Sequence, residues 1–109
     1  MAIQQIQPHQ LREWLMDGSR TAPVLLDVRE PWETELCKIE GSCVIPMNSV
    51  PNQVDALDRD AEIVVICHHG GRSMQVAAFL DRNGFKNLHN LAGGVDAWAR
   101  QVDKAMSVY

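Results

Sequence analysis

The chain has no stripe of lysine and arginine, no long apolar run, no Cys-x-x-Cys pair and no stretch of biased composition. Its 10 basic residues are scattered and outnumbered by 14 acidic ones, for a net charge of -4. Nothing in that distribution could follow a phosphate backbone, so nucleic acid is not expected as a partner. No segment approaches the ~20 apolar residues that span a bilayer. The N-terminal stretch Met1 to Ile6 lacks the positive flank and apolar centre of an export signal. A cytoplasmic protein without membrane contact is the expectation. Three cysteines, an odd number, fit a reducing compartment better than a disulfide framework. His68 and His69 are adjacent and expected to point in different directions, and no second pair at ligand spacing supports zinc, so no metal is expected. With 46% hydrophobic and 22% charged residues, the 109 residues suit a single packed domain spanning 1–109.

What the chain does contain is a regular alternation of short apolar runs and amphipathic stretches. Ile3 to Ile6 reads as a strand. Pro8 opens a helix to about Asp17, with Leu11, Trp14 and Leu15 on one face and Gly18 stopping it. Val24 to Val28 reads as a strand buried on both faces. Pro31 to Leu36 fits one or two helical turns, Cys43 to Ile45 a short strand, and Pro51 to Leu57 a short helix. Glu62 to Ile66 is a further strand, followed by a helix from Ser73. That helix is predicted to end with Gly84 in the left-handed position and Phe85 folded back on Leu80. Asn87 to Leu91 offers a last strand. Gly93-Gly94 leads into a helix with Val95, Trp98 and Val102 on one stripe. Trp14, Trp32 and Trp98 are assigned to packing rather than to a binding cage. The alternation predicts an α/β fold, an open and mostly parallel sheet flanked by helices. Ligands of such sheets bind beyond the carboxyl ends of the strands. Asp27 to Glu30 and Cys67 both follow strand ends, so the two segments are expected to meet at one rim.

The most informative segment is Cys67-His68-His69-Gly70-Gly71-Arg72-Ser73, between the fourth apolar run and the helix after it. A loop with two glycines, leading into a helix, turns backbone N–H groups and the positive end of the helix dipole toward the cysteine. Both favour thiolate, so the Cys67 pKa is expected below the free-thiol value of about 8.5. Cys67 is the candidate nucleophile, set against the alternative of a small buried hydrophobe. Gly70 and Gly71 allow amides to wrap an anion. Arg72 offers a permanent charge for an oxyanion, or else pairs with an acid such as Asp27 or Glu30. His68 and His69 are polar groups at the mouth that titrate near neutrality. Ser73 either caps the helix or donates to the bound anion. Cys37 and Cys43 lack this neighbourhood and read as bystanders, with Cys37 a resolving thiol should it lie close.

Three segments together resemble the rhodanese-like sulfurtransferase domain family. Leu26-Asp27-Val28-Arg29-Glu30 with Glu33, continuing to Gly41 and Ile45-Pro46, is similar to its early Asp-x-Arg signature. Cys67-x-x-Gly70-x-Arg72-Ser73 resembles its active-site loop, and Leu91-x-Gly93-Gly94-x-x-x-Trp98 its closing motif. The resemblance implies a five-stranded parallel sheet. It also implies transfer of sulfane sulfur from a donor such as thiosulfate, through a persulfide on Cys67, to cyanide, a thiol or an acceptor protein. By the same resemblance, backbone amides of His68 to Ser73 cradle the persulfide, and Arg72 with His68 or His69 holds the donor's charged end. Asp27 and Arg29 would support the site from behind. The chain departs from the family at Cys37-Lys38, where Gly-His commonly precedes the position of Ile39.

Two other functions compete. A phosphatase or arsenate reductase cradle has five residues between Cys and Arg, whereas four intervene here, a ring better matched to one sulfur than to tetrahedral phosphate. A persulfide carrier or binding module would use the same loop without rapid turnover. The physiological donor and acceptor, the pathway and the oligomeric state are not legible in the sequence.

Overall fold

The structure, a computed structural model, describes residues 3–109. Met1 and Ala2, the first residues of the N-terminal stretch read above, lie outside the described residues. Strand β1 (Ile3–Ile6) leads into α1 (Pro8–Met16), β2 (Val24–Asp27), α2 (Pro31–Leu36) and β3 (Cys43–Val44). A 3-10 turn at Met47–Ser49, the four-residue α3 (Val50–Gln53) and a second 3-10 turn at Val54–Ala56 precede β4 (Ile63–Ile66). Then follow α4 (Gly71–Arg82), β5 (Leu88–Leu91) and α5 (Gly94–Gln101). The five strands form one sheet in the order β1-β5-β4-β2-β3, every neighbouring pair parallel. The open parallel α/β architecture expected from the alternation is therefore the observed one.

The central strands explain their own sequences. All four residues of β4 are buried, because helices cover both faces of the sheet. Successive side chains point to opposite faces. Ile63, Val65 and Cys67 join Leu26, Val76, Ala77, Leu80 and Phe85 in the core under α4. Val64 and Ile66 join Leu11, Trp14, Leu25, Val95 and Trp98 in the core under α1 and α5. The chain leaves β2 toward one edge, through β3, and leaves β4 toward the other, through β5. The strand order thus reverses between β2 and β4, so the segments beyond the carboxyl ends of these two strands meet at one rim.

Several boundaries move. The helix expected from Ser73 begins two residues earlier, at Gly71, because Gly70, with φ +109°, makes the turn and leaves Gly71 free to start the helix. Ser73 consequently lies inside the first turn and is buried, not at the cap. The helix expected over Pro51–Leu57 is instead α3 flanked by two 3-10 turns. The end of α4 follows the sequence reading: Phe85 N–H donates to Leu80 O at 3.1 Å, and Gly84 N–H to Asp81 O at 3.3 Å. Trp14 and Trp98 are core residues, whereas Trp32 is 60% exposed. Among the described residues no helix is long and apolar enough to cross a membrane.

Phe85 closes α4 onto the core and is 2% exposed. Replacing it with alanine leaves a cavity that the fixed backbone turn cannot collapse. Phe85→Ala is expected to cost about 3–5 kcal/mol, read as a lower urea midpoint with an unchanged slope. A loss under about 1 kcal/mol would show that this aromatic ring is dispensable to the core.

Candidate active site

Cys67 follows β4 directly and is 1% exposed. Its sulfur accepts a hydrogen bond from the Gly70 N–H at 3.0 Å. The loop is held open by its neighbour. Val95 N–H donates to Cys67 O at 2.9 Å, and Asp96 N–H to His68 O at 3.1 Å. These carbonyls occupy the free amides at the start of α5, which turns them away from the sulfur. A Cβ on Gly94 would overlap both carbonyl groups, so only glycine permits this approach. The first turn of α4, a 12-residue helix, adds its positive dipole end on the sulfur's side of the loop.

Behind the sulfur runs a buried polar chain. Cys67 Sγ lies 3.3 Å from Ser73 Oγ, and the Ser73 hydroxyl donates to Asn90 Oδ1. Asn90 Nδ2 donates to Gln5 Oε1 at 3.0 Å. Ser73 therefore faces the thiol rather than capping the helix. Asn90, 4% exposed, was not singled out from the sequence. Its signal was available: a polar residue inside the apolar strand Leu88–Leu91 of a fully covered sheet calls for a polar partner.

Arg72 pairs with Glu33, not with Asp27 or Glu30. Its Nη1 and Nη2 each lie 2.7 Å from a Glu33 carboxylate oxygen. Glu33 also accepts from the Glu30 backbone N–H at 2.9 Å and from the Tyr109 hydroxyl at 2.9 Å. The Arg72 fork and these two donors outweigh burial and hold the Glu33 carboxyl down at about 2. Arg29 is fully buried and binds Asp27 through Nε and Nη2, the latter at 2.7 Å. It also donates to the Cys37 carbonyl at 2.7 Å and to the Tyr109 hydroxyl at 3.0 Å. Burial would lower the pKa of Arg29, but the Asp27 and Tyr109 bonds raise it above its ordinary value. Asp27 and Arg29 thus stand one layer behind the loop, joined to it through Glu33 and Tyr109. The change to Cys37-Lys38 leaves this support intact, because Arg29 uses the Cys37 backbone carbonyl.

Tyr109 was missed entirely, and no local pattern marks it. Its ring stacks on His68 with centroids 3.9 Å apart and planes 5° from parallel. Burial and the adjoining Glu33 push its phenol up to about 12. His68 and His69, expected to diverge, lie face to face at 3.9 Å and 31°. Burial, and then the charge of His69, lower the His68 pKa, so this imidazole is favoured neutral. His68, His69 and Asp96 bring potential ligand atoms within 4.8 Å of one another. Cys43 is exposed, and Cys37 half-buried beside Arg29.

Cys67, under the Gly70 N–H, and Arg72, at the start of α4, thus lie at the strand-order reversal of an open parallel α/β sheet. The chain belongs to the rhodanese-like domain family, whose sequence model matches residues 7–101. It is 36% identical over 96 residues to the thiosulfate sulfurtransferase GlpE of Pseudomonas paraeruginosa, covering 88% of this chain and 84% of that one. It is 38% identical over 89 residues to the rhodanese-like/PpiC domain-containing protein 12, chloroplastic, of Arabidopsis thaliana. There it covers 78% of this chain but spans only 30% of the relative's length. The crystal structure of a rhodanese-related protein from Thermoplasma volcanium superposes with a TM-score of 0.81 at 32% identity, over 91% of this chain and 93% of that one. These relatives support a sulfurtransferase type.

The Glu33–Arg72 pair makes a pH-dependent contribution whose sign is fixed. Glu33 titrates near 4.5 unfolded and about 2 folded, so between these values the unfolded chain binds the extra proton. The contribution is complete above about 4.5 and lost as pH falls toward 2. Glu33→Gln is expected to cost roughly 3 kcal/mol near neutrality, toward the lower end for a broken buried pair because Arg72 is partly exposed. Urea midpoints should show a constant gap between wild type and variant above about pH 4.5 that closes as pH falls from there toward 2. A gap that failed to close there would deny the pair its role in that window.

Proposed function

We propose that this chain is a sulfurtransferase that carries sulfane sulfur on Cys67. The Cys67 thiolate attacks the outer sulfur of thiosulfate or a similar donor. A new S–S bond forms, and the old one breaks with its electron pair leaving on sulfite. A thiophilic acceptor, cyanide or a thiolate, then attacks the outer persulfide sulfur and Cys67 departs as thiolate. Both steps are nucleophilic displacements at sulfur and need no metal or organic cofactor. The observation that carries this reading is the Gly70 N–H at 3.0 Å from the sulfur, in a loop whose carbonyls are bound outward by α5. Such an amide stabilises negative charge on Cys67 both before attack and after departure.

His68 to Ser73 line the persulfide's seat in this reading. Arg72 keeps N–H groups free beyond the two that bind Glu33, and these hold the sulfonate end of the donor together with His69, whose side chain is 67% exposed. Asp27 and Arg29 set the position of the arginine's partner. The cellular acceptor is a small thiol or an acceptor protein, in the cytoplasm. Because the plant relative contains this region as under a third of its length, delivery of sulfur within a larger assembly is the second reading. Slow thiosulfate–cyanide turnover with a long-lived persulfide would favour it.

Intact mass spectrometry after incubation with thiosulfate tests the shared core of both readings. Wild type is expected to gain the mass of one sulfur atom, reversed by cyanide, and Cys67→Ser to gain none. Labelling that persists in Cys67→Ser would falsify the assignment of the nucleophile.

A further inference from the structure

The chain returns to the loop after leaving it. Helix α5 starts at the Cys67 and His68 carbonyls and runs away from them to Gln101. Asp103 N–H then donates to Trp98 O at 3.0 Å, and Met106 N–H to Asp103 O at 3.0 Å, turning the chain back. Met106 and Tyr109 join the cluster containing Leu15 and Cys37, so this return lies on the α1/α5 face. It brings Tyr109 against the residue that follows the nucleophile.

Three independent contacts fix the tyrosine there. Its ring covers one face of His68 at 3.9 Å. Its hydroxyl accepts from Arg29 Nη1 at 3.0 Å and donates to Glu33 Oε1 at 2.9 Å. Its other neighbour is Trp32, edge-on at 6.0 Å and largely exposed. Glu33 in turn holds Arg72 at the far end of the loop. One side chain therefore spans from the residue after the sulfur to the partner of the loop's last cation. A phenol hydrogen-bonded between two buried charged groups does not swing aside freely, since leaving would strand Arg29 and Glu33 donors and acceptors.

We propose that Tyr109 determines which donors reach Cys67, acting as a fixed wall that admits compact sulfur donors and rejects bulky ones. For sulfur donors this rests on the function proposed above, but as a wall over a reactive thiol it does not. A small anion such as thiosulfate needs only the loop amides and passes beside the ring. A donor with an aryl group on the sulfonyl end requires the volume the ring fills. Rejection comes from overlap with an immobile group, not from missing attraction.

Two readouts test it separately. The first is the rate of Cys67 alkylation by N-phenylmaleimide relative to iodoacetamide, followed on the Cys67 peptide by mass spectrometry. The second is kcat/KM for benzenethiosulfonate relative to thiosulfate. Tyr109→Ala is expected to raise both ratios about tenfold, the scale on which a filled pocket discriminates by size. Tyr109→Trp, which adds volume at the same place, is expected to lower them, and it carries the test should the alanine variant not fold. Ratios unchanged in either folded variant would overturn the wall, even if absolute rates fell. A wild type that transfers sulfur from neither donor, while the alkylation ratio still shifts, would sink the sulfurtransferase reading and leave the wall standing.

Discussion

The forked contact between Arg72 and Glu33 ties the two halves of the site together. Arg72 belongs to the first turn of α4, after β4, and Glu33 to α2, after β2, the strands between which the sheet order reverses. Parallel strands bring their carboxyl ends to one rim but do not say how far apart the loops beyond them stand. The fork does, because two short bonds fix orientation as well as distance. The sequence spacing on each side serves that contact. Pro31 starts α2, Glu33 falls at the third helical position, and its carboxylate accepts from the Glu30 N–H as it meets the arginine.

A buried ion pair is a doubtful source of stability, since desolvation offsets much of the attraction. Here the balance is improved by satisfaction: the carboxylate oxygens of Glu33 accept from Arg72 twice, from Tyr109 and from a backbone amide. The second pair, Arg29 with Asp27, is treated likewise, with the carbonyls of Glu33 and Cys37 and the Tyr109 hydroxyl taking the remaining donors. Two pairs so fully bonded have few alternative arrangements. Their contribution is a single geometry for the loop rather than a large margin of stability.

Much of this was legible in the residues. Apolar runs alternating with amphipathic stretches gave a parallel sheet, and the Gly84-Phe85 turn was visible because a left-handed position and a hydrophobic fold-back leave a local trace. The Cys67 loop was visible for the same reason. What stayed hidden was carried by contacts between distant residues. Asp27 and Glu30 were the acids named for Arg72, and helix α2 decided the matter by turning Glu33 toward it instead. Ser73 stood open between a helix cap and a donor to the anion, and Gly70, by taking the turn and moving the helix start, removed the cap. Asn90 left a faint sign as a polar residue in a covered strand. Tyr109 left none, because nothing in a sequence reports that a chain doubles back by way of Asp103 to Met106.

The charges also decide what kind of force acts on the sulfur. Arg29 is cancelled by Asp27 and Arg72 by Glu33, so the two strongest cations near the loop bring no net charge with them. His68, held neutral by burial, adds none. Negative charge on Cys67 must then be met by dipoles: the Gly70 N–H and the start of α4. Dipoles fixed by the fold need no reorganisation when charge arrives or leaves. A full counter-charge in contact would hold thiolate and persulfide alike and resist the departure that each transfer requires. For the sulfur transfer proposed here, a neutral, preorganised seat would stabilise the anion and still let the sulfur go.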